Sequence, residues 1–207
     1  MDRFGPVIVL CTIIIGFVIF YERKKSDRKQ SEGSRKFWEL EEQSNFTRKK
    51  DISFLNYISI PLDTLPMAPN DDDEITEYQQ SIKHLSQCKI LNLTGYSNTD
   101  LKLEYGVANL TVLTEYDNNY ITLVNTLARW GHRLFQLNRE SEAVTVLEYG
   151  ISIGTDVSRN FYMLADYYRQ HGNTDEIDRL IDRADKINSI MKPSILKKLN
   201  EIRSYCN

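Results

Sequence analysis

The side chains able to do chemistry are few and scattered. His84, His132 and His171 share no metal-ligand spacing among themselves or with the cysteines, and they read as surface or core histidines. Cys11 lies in an apolar run, Cys88 at a helical-looking apolar position and Cys206 next to last, so no CxxC pair or disulfide framework can be read. The run Asp71, Asp72, Asp73, Glu74 lacks the glycine and the terminal glutamate of a calcium loop. It reads instead as the negatively charged first turn of a helix. Asp175, Glu176, Asp178 and Asp182 fall where a solvated helix face would put them. There is no glycine-rich phosphate loop, no GxSxG and no HExxH. These absences give no catalytic, metal-binding or cofactor-binding residues, and the expectation is a protein that is not an enzyme and carries no cofactor.

Charge is divided unevenly along the chain. Residues 1 to 50 carry 11 basic and 7 acidic side chains, and residues 51 to 207 carry 15 and 22, so a basic stem joins a body of net charge −7. Such a body is poorly suited to nucleic acid, whose affinity comes mainly from Lys and Arg neutralising phosphates. No small-molecule substrate is evident. The 207 residues, 41% apolar and 11% aromatic, are enough for a packed core.

After a flank at 1–3, the stretch 4–21 reads FGPVIVLCTIIIGFVIFY, without a charge. At about 1.5 Å per residue it reaches roughly the thickness of a bilayer's hydrocarbon core. It predicts a single transmembrane helix. Neither the basic n-region nor the small-residue cleavage site of a signal peptide accompanies it; Glu22, Arg23, Lys24, Lys25, Ser26, Asp27, Arg28 and Lys29 follow directly. This flank places the C-terminal body in the cytoplasm, because basic residues are retained on that side. Three Asn-x-Thr triplets, at Asn45, Asn92 and Asn109, act as glycosylation acceptors only in a eukaryotic lumen and read as chance in a chain rich in Asn.

A basic juxtamembrane stem is expected over 22–50, flexible from Ser26 to Ser34 and helix-permissive from Arg35. An extended arm should follow over 51–73, where Pro61, Pro66 and Pro69 prevent any helix from running through. Beyond it the periodicity is helical. Ile75, Tyr78, Ile82, Leu85 and Cys88 step by three and four residues along one face. Residues 99–116 fit both strand and helix patterns and are expected as the second helix of a degenerate pair over 74–123.

A self-comparison at an offset of 34 sets Leu127 on Phe161, Trp130 on Leu164, Gly131 on Ala165, Leu134 on Tyr168 and Asn138 on Gly172. It continues with Ala143 on Ile177, Leu147 on Ile181, Gly150 on Ala184 and Thr155 on Ser189. Helices approach closely only where one of them is small, so Gly131, Ala143, Gly150, Ala165 and Ala184 should mark crossings. Asn138 and Gly172 suit turns in the left-handed conformation. The pattern resembles the tetratricopeptide repeat, with units at 124–157 and 158–191 and a capping helix at 192–207. Departures are Ile177, where that family is usually small, and Thr155 and Ser189, where it often has proline.

The fold expected is therefore all-α, a helix-turn-helix repeat superhelix after an N-terminal transmembrane helix. The resemblance implies a concave groove for a protein or peptide partner, lined by Asn125, His132, Phe135 and Gln136 from one unit and Arg159, Tyr162, Asp166 and Arg169 from the next. The variety that clamps a chaperone's carboxylate needs a lysine where Ala128 stands, which disfavours that ligand. The leading expectation is a membrane-anchored binding adaptor or scaffold. A structural subunit of a larger membrane complex is the alternative, and an enzyme with an unrecognised site a distant one.

Overall fold

The computed structural model describes the backbone of residues 5–69 and 72–206; within the first helix the side chains of residues 5–15, 17, 18 and 27–29 are not described. Every regular element among the described residues is helical: α1 (Gly5–Asn45), α2 (Asp73–Leu85), α3 (Asn98–Tyr105), α4 (Leu110–Gln136), α5 (Glu140–Ser152), α6 (Ser158–Gln170), α7 (Thr174–Lys186) and α8 (Lys192–Ser204), with a short 3-10 turn at Val107–Asn109. The fold is all-α. Most side chains of the apolar run 4–21, on which the expected membrane span rests, lie outside the described residues. Among those described, no helix is long and apolar enough to cross a membrane.

The chain divides into two compact units, one formed by residues up to Lys49 with Asn98–Ala108, the other by Lys50–Ser97 with Asn109 onward. In the first unit, α1 runs without a break through Ser26–Ser34, so this stretch is helical rather than the flexible stem its polarity suggested. Its Glu, Lys, Arg and Gln are good helix formers, and Arg35 pairs with Glu39 one turn on at 3.4 Å. The C-terminal end of α1 packs on α3. There Glu41 accepts hydrogen bonds from Lys102 Nζ and, at 2.6 Å, from Thr99 Oγ1. These bonds, from Lys102 first, hold the Glu41 carboxyl below its usual range.

The helix expected over 99–116 is broken at Gly106, which has φ +90° and whose successor Val107 donates its N–H to the Thr47 carbonyl. A β-carbon at Gly106 would fall onto the Arg48 carbonyl and within 2.8 Å of Lys49 Cα. Backbone cannot swing aside as a side chain can. Gly106→Ala is therefore expected to cost about 2 kcal/mol or more, from a non-glycine residue at positive φ together with the clash. Chemical denaturation of the variant checks this, and an unchanged midpoint would count against the close approach.

In the second unit the arm 51–69 packs against α2, α4 and α5. Ile60 and Leu65 join Ile75, Ile82, Leu123, Leu127, Trp130 and Ala143 in one buried cluster, with Ile58, Leu62 and Met67 at its edge. Single hydrogen bonds tie the arm down, from Ile58 N to Ile90 O at 2.9 Å and from Tyr149 OH to Ser59 O at 3.3 Å. The acidic run does open a helix: Asp73 and Glu74 lie in the first turn of α2, and Asp72 grips Arg133 of α4 through two bonds of 2.8 and 3.1 Å. The Asp72 carboxyl is held low by that guanidinium. The partner of α2 is thus α4, which runs unbroken from Leu110 to Gln136, whereas α3 belongs to the other unit.

From residue 124 onward the geometry repeats every 34 residues. The second half of α4 (124–136) precedes α5 as α6 precedes α7, and α6, shifted by 34, gives the bounds of α8. The turn residues Asn138 and Gly172 have φ of 58° and 70°. After them Arg139 N donates to Leu134 O at 2.9 Å and Asn173 N to Tyr168 O at 2.8 Å, the same closing bond one repeat apart. At the two departures from the resemblance, Thr155 Oγ1 accepts the N–H of Val157 and Ser189 Oγ that of Met191, each at 3.1 Å. Both side chains stiffen the approach to the next helix by the same local bond. The third recurrence, α8, packs on α6 and α7 through Ile195, Leu199 and Ile202. It therefore takes the place of a repeat's first helix.

The small residues lie at the crossings. Ala143, Ala165 and Ala184 are fully buried, a β-carbon on Gly131 would sit 2.5 Å from Leu147 of α5, and one on Gly150 would sit 2.5 Å from Asn160 of α6. Ile177, one of the departures from the resemblance, is fully buried.

Candidate functional site

The first helices of successive repeats pack side by side, α4 touching α6 and α6 touching α8, and the faces they turn toward each other form a groove. Between α4 and α6 it encloses about 230 Å³ and is lined by His132, Phe135, Glu140, Met163, Asp166, Tyr167 and Gln170. Phe135, half-buried, packs against both buried clusters of this unit, so the floor of the groove is anchored in the core. Its ring lies 6.0 Å from that of Tyr167, which in turn lies 4.2 Å from the His171 imidazole.

Polar groups fix the far wall. His171 Nδ1 lies 2.9 Å from the Tyr167 carbonyl, and its Nε2 lies 3.7 Å from Glu140. Behind the groove, Tyr168 donates its hydroxyl to Glu148 at 2.8 Å, and burial pushes this phenol above its ordinary range. The result is an aromatic strip with two histidines, His132 and His171, and carboxylates along its rim. It holds no nucleophile-and-base pair; it is suited to packing against a side chain and accepting hydrogen bonds.

Of the eight residues anticipated for a groove, His132, Phe135 and Asp166 line this one. Asn125 is exposed and turns its amide back to Ile121 O at 2.9 Å, while Gln136 accepts from Arg133 at 3.4 Å. Arg159 is exposed, and Arg169 lies 3.6 Å from Asp166 along the rim. Tyr162 leans the other way, its hydroxyl 3.4 Å from Ser194 O of α8. Four lining residues were not anticipated: Glu140 of α5, and Met163, Tyr167 and Gln170, which lie on α6 at four- and three-residue steps. That apolar-aromatic stripe was legible in principle, but the family's positions put the lining one residue earlier on the helix.

The remaining candidates are dispersed. His84 Nε2 and Cys88 Sγ are 4.0 Å apart, one turn apart in sequence, and among the described residues no group of three or more His, Cys, Asp or Glu is placed to hold a metal. All three Asn-x-Thr amides are engaged: Asn45 Oδ1 accepts from Lys102 Nζ at 2.9 Å, Asn92 Nδ2 donates to the Tyr120 hydroxyl at 2.9 Å, and Asn109 Nδ2 to Lys50 O at 2.8 Å. Comparison with known proteins returns nothing, since no family model, no curated protein and no solved structure matches this chain.

Proposed function

We propose that this protein is a membrane-anchored adaptor whose tetratricopeptide-like repeats hold a protein or peptide partner, without catalytic activity. The observation that carries the reading is the recurrence every 34 residues, from helix bounds to turn bonds, which sets the first helices of the repeats side by side around an aromatic groove. Solenoids of this kind present extended concave surfaces suited to binding. The partner is a peptide with an apolar anchor residue for the Phe135–Tyr167 floor and hydrogen-bond donors for Asp166 and Glu140.

Replacing His132 and Tyr167 together by alanine should remove the floor's contact while lowering stability only modestly, since both are partly exposed. Tagged wild-type and double-variant chains would be purified from their native membrane and their co-purifying chains compared. Loss of a partner from a folded variant is the expected result; an identical set of partners would remove the groove from the interaction.

The anchor in this reading is the run 4–21, and the basic residues after it keep the body in the cytoplasm. A reporter fused after Asn207 is expected to behave as cytoplasmic, and activity of an export-dependent reporter at that point would reverse the topology. The alternative role of structural subunit is favoured by one observation. Ile190, 95% exposed, stands beside Met191 in the α7–α8 connection, an apolar feature that permanent packing would cover. Obligate oligomerisation of the purified chain would favour that role over a free adaptor.

A further inference from the structure

On the edge of the second unit, away from the groove, the connections between repeats are crossed by the segment Leu91–Gly95. The Leu91 N–H bonds the Tyr116 carbonyl at 3.2 Å, and Leu93 N donates to Asp117 at 3.1 Å. Asn92 is tied to Tyr120 and the α5 end, with its Nδ2 3.4 Å from Gly154 O. Two left-handed glycines let the segment lie close. A β-carbon on Gly154 (φ +79°) would sit 3.2 Å from the Asn92 amide, and one on Gly95 (φ +94°) would drive into the Asn188 amide. Beneath the segment lies a cleft of about 550 Å³, within the range of small-molecule sites.

Its lining has one sign of charge. Arg183 and Lys186 of α7 border it with Asn92, Thr94, Ser152 and Asn188, over a floor that includes Ile151, Phe161 and Ile187, and no carboxylate lines it. Among the described residues neither Arg183 nor Lys186 makes an ion pair or hydrogen bond, and the same holds for the Asn188 side chain and the Thr94 hydroxyl. Asp185 and Asp156 are committed elsewhere, to Lys192 at 3.0 Å and Ser189 at 2.6 Å, and Asp182, one turn before Lys186 on α7, does not line the cleft. Two cations three residues apart on one helix repel mildly. In a body of net charge −7, two such cations converging with two neutral polar groups on one cleft form a local positive well.

We propose that this cleft binds a soluble phosphomonoester with a small apolar or aromatic body. A doubly charged phosphate matches the two cations, and Asn188 and Thr94 supply neutral donors to its oxygens. Ile151, Phe161 and Ile187 take the apolar part. A walled cleft beneath a chain segment admits a small molecule, whereas a flat bilayer surface cannot reach its floor. The site shares no lining residue with the peptide groove.

The test is calorimetric titration of the full chain in a non-ionic detergent with phenyl phosphate, benzoate and phenol. Saturable binding of phenyl phosphate is expected, with benzoate clearly weaker and phenol without measurable binding. Arg183→Gln with Lys186→Gln should weaken phenyl phosphate roughly tenfold or more, by removing both charge-assisted contacts, while Lys197→Gln on α8 should leave it unchanged. Both altered side chains are exposed, and a circular dichroism melt confirms that the variants are folded. No saturable binding of phenyl phosphate, equal binding of benzoate, or undiminished binding by the folded double variant overturns the proposal.

Discussion

Gly131→Leu should lower the thermal midpoint by roughly 6–12 °C, the shift expected in a chain of this size for a cost at the upper end of about 1–3 kcal/mol. The β-carbon alone would approach Leu147 Cγ and Cδ2 to 2.5 Å, well inside van der Waals contact. Leu147 is fully buried and has little room to withdraw. The remaining leucine carbons must then part α4 from α5, the most extensively packed pair of helices in the unit. Ala165→Leu, one repeat on and also fully buried, should cost somewhat less because a β-carbon is already accommodated there. The contrasting substitution is Gly33→Ala, where nothing lies within 4 Å of the added carbon and helix propensity should make the change neutral or stabilising. If Gly131→Leu melts with the wild type, the crossing is not where the repeat places it.

Trp130→Ala is expected to cost about 3–5 kcal/mol, the usual range for deleting a fully buried large aromatic. The indole lies within the cluster joining the arm, α2, α4 and α5, so its loss loosens contacts among all of them. One detail separates packing from hydrogen bonding. The indole Nε1 is buried without a hydrogen-bond partner, so the cost comes from volume alone. Trp130→Phe should then cost less than half as much as Trp130→Ala, because it removes an unpaired donor together with part of the ring. Urea denaturation of the two variants gives the comparison, and equal losses would mean that the N–H has a partner after all.

Acid should weaken the second unit through the same pairs that close it. Asp72 beside Arg133 and Asp178 beside Arg203 are both held below the ordinary aspartate value, mainly by the hydrogen bonds from their guanidinium partners. A lowered carboxyl contributes stability at pH above its unfolded value and loses it as pH falls through the folded one. Both pairs are solvent-accessible, so their share is small beside the core.

Local rules carried much of this fold in the sequence. The small residues at Gly131, Ala143, Gly150, Ala165 and Ala184, and the turn formers Asn138 and Gly172, each face a constraint within one helix pair. A helix crossing needs a missing side chain and a left-handed turn needs Asn or Gly, whatever lies farther away. Tertiary structure decided what depends on distant chain. Gly106 reads as an ordinary glycine until Arg48 and Lys49 lie against it, and that contact divides 99–116 between two units. Asp72 reads as helix-opening charge until Arg133, 61 positions away, engages it. The groove shows the same division. The resemblance placed candidate residues on α4 and α6, but the way the two helices pack side by side turned Tyr162 toward α8 and brought Met163 and Tyr167 to face Phe135. The cleft beneath Leu91–Gly95 had no sequence signal, because its cations, amides and apolar floor come from segments that meet only when the repeat connections are crossed by a stretch lying ahead of them in the chain.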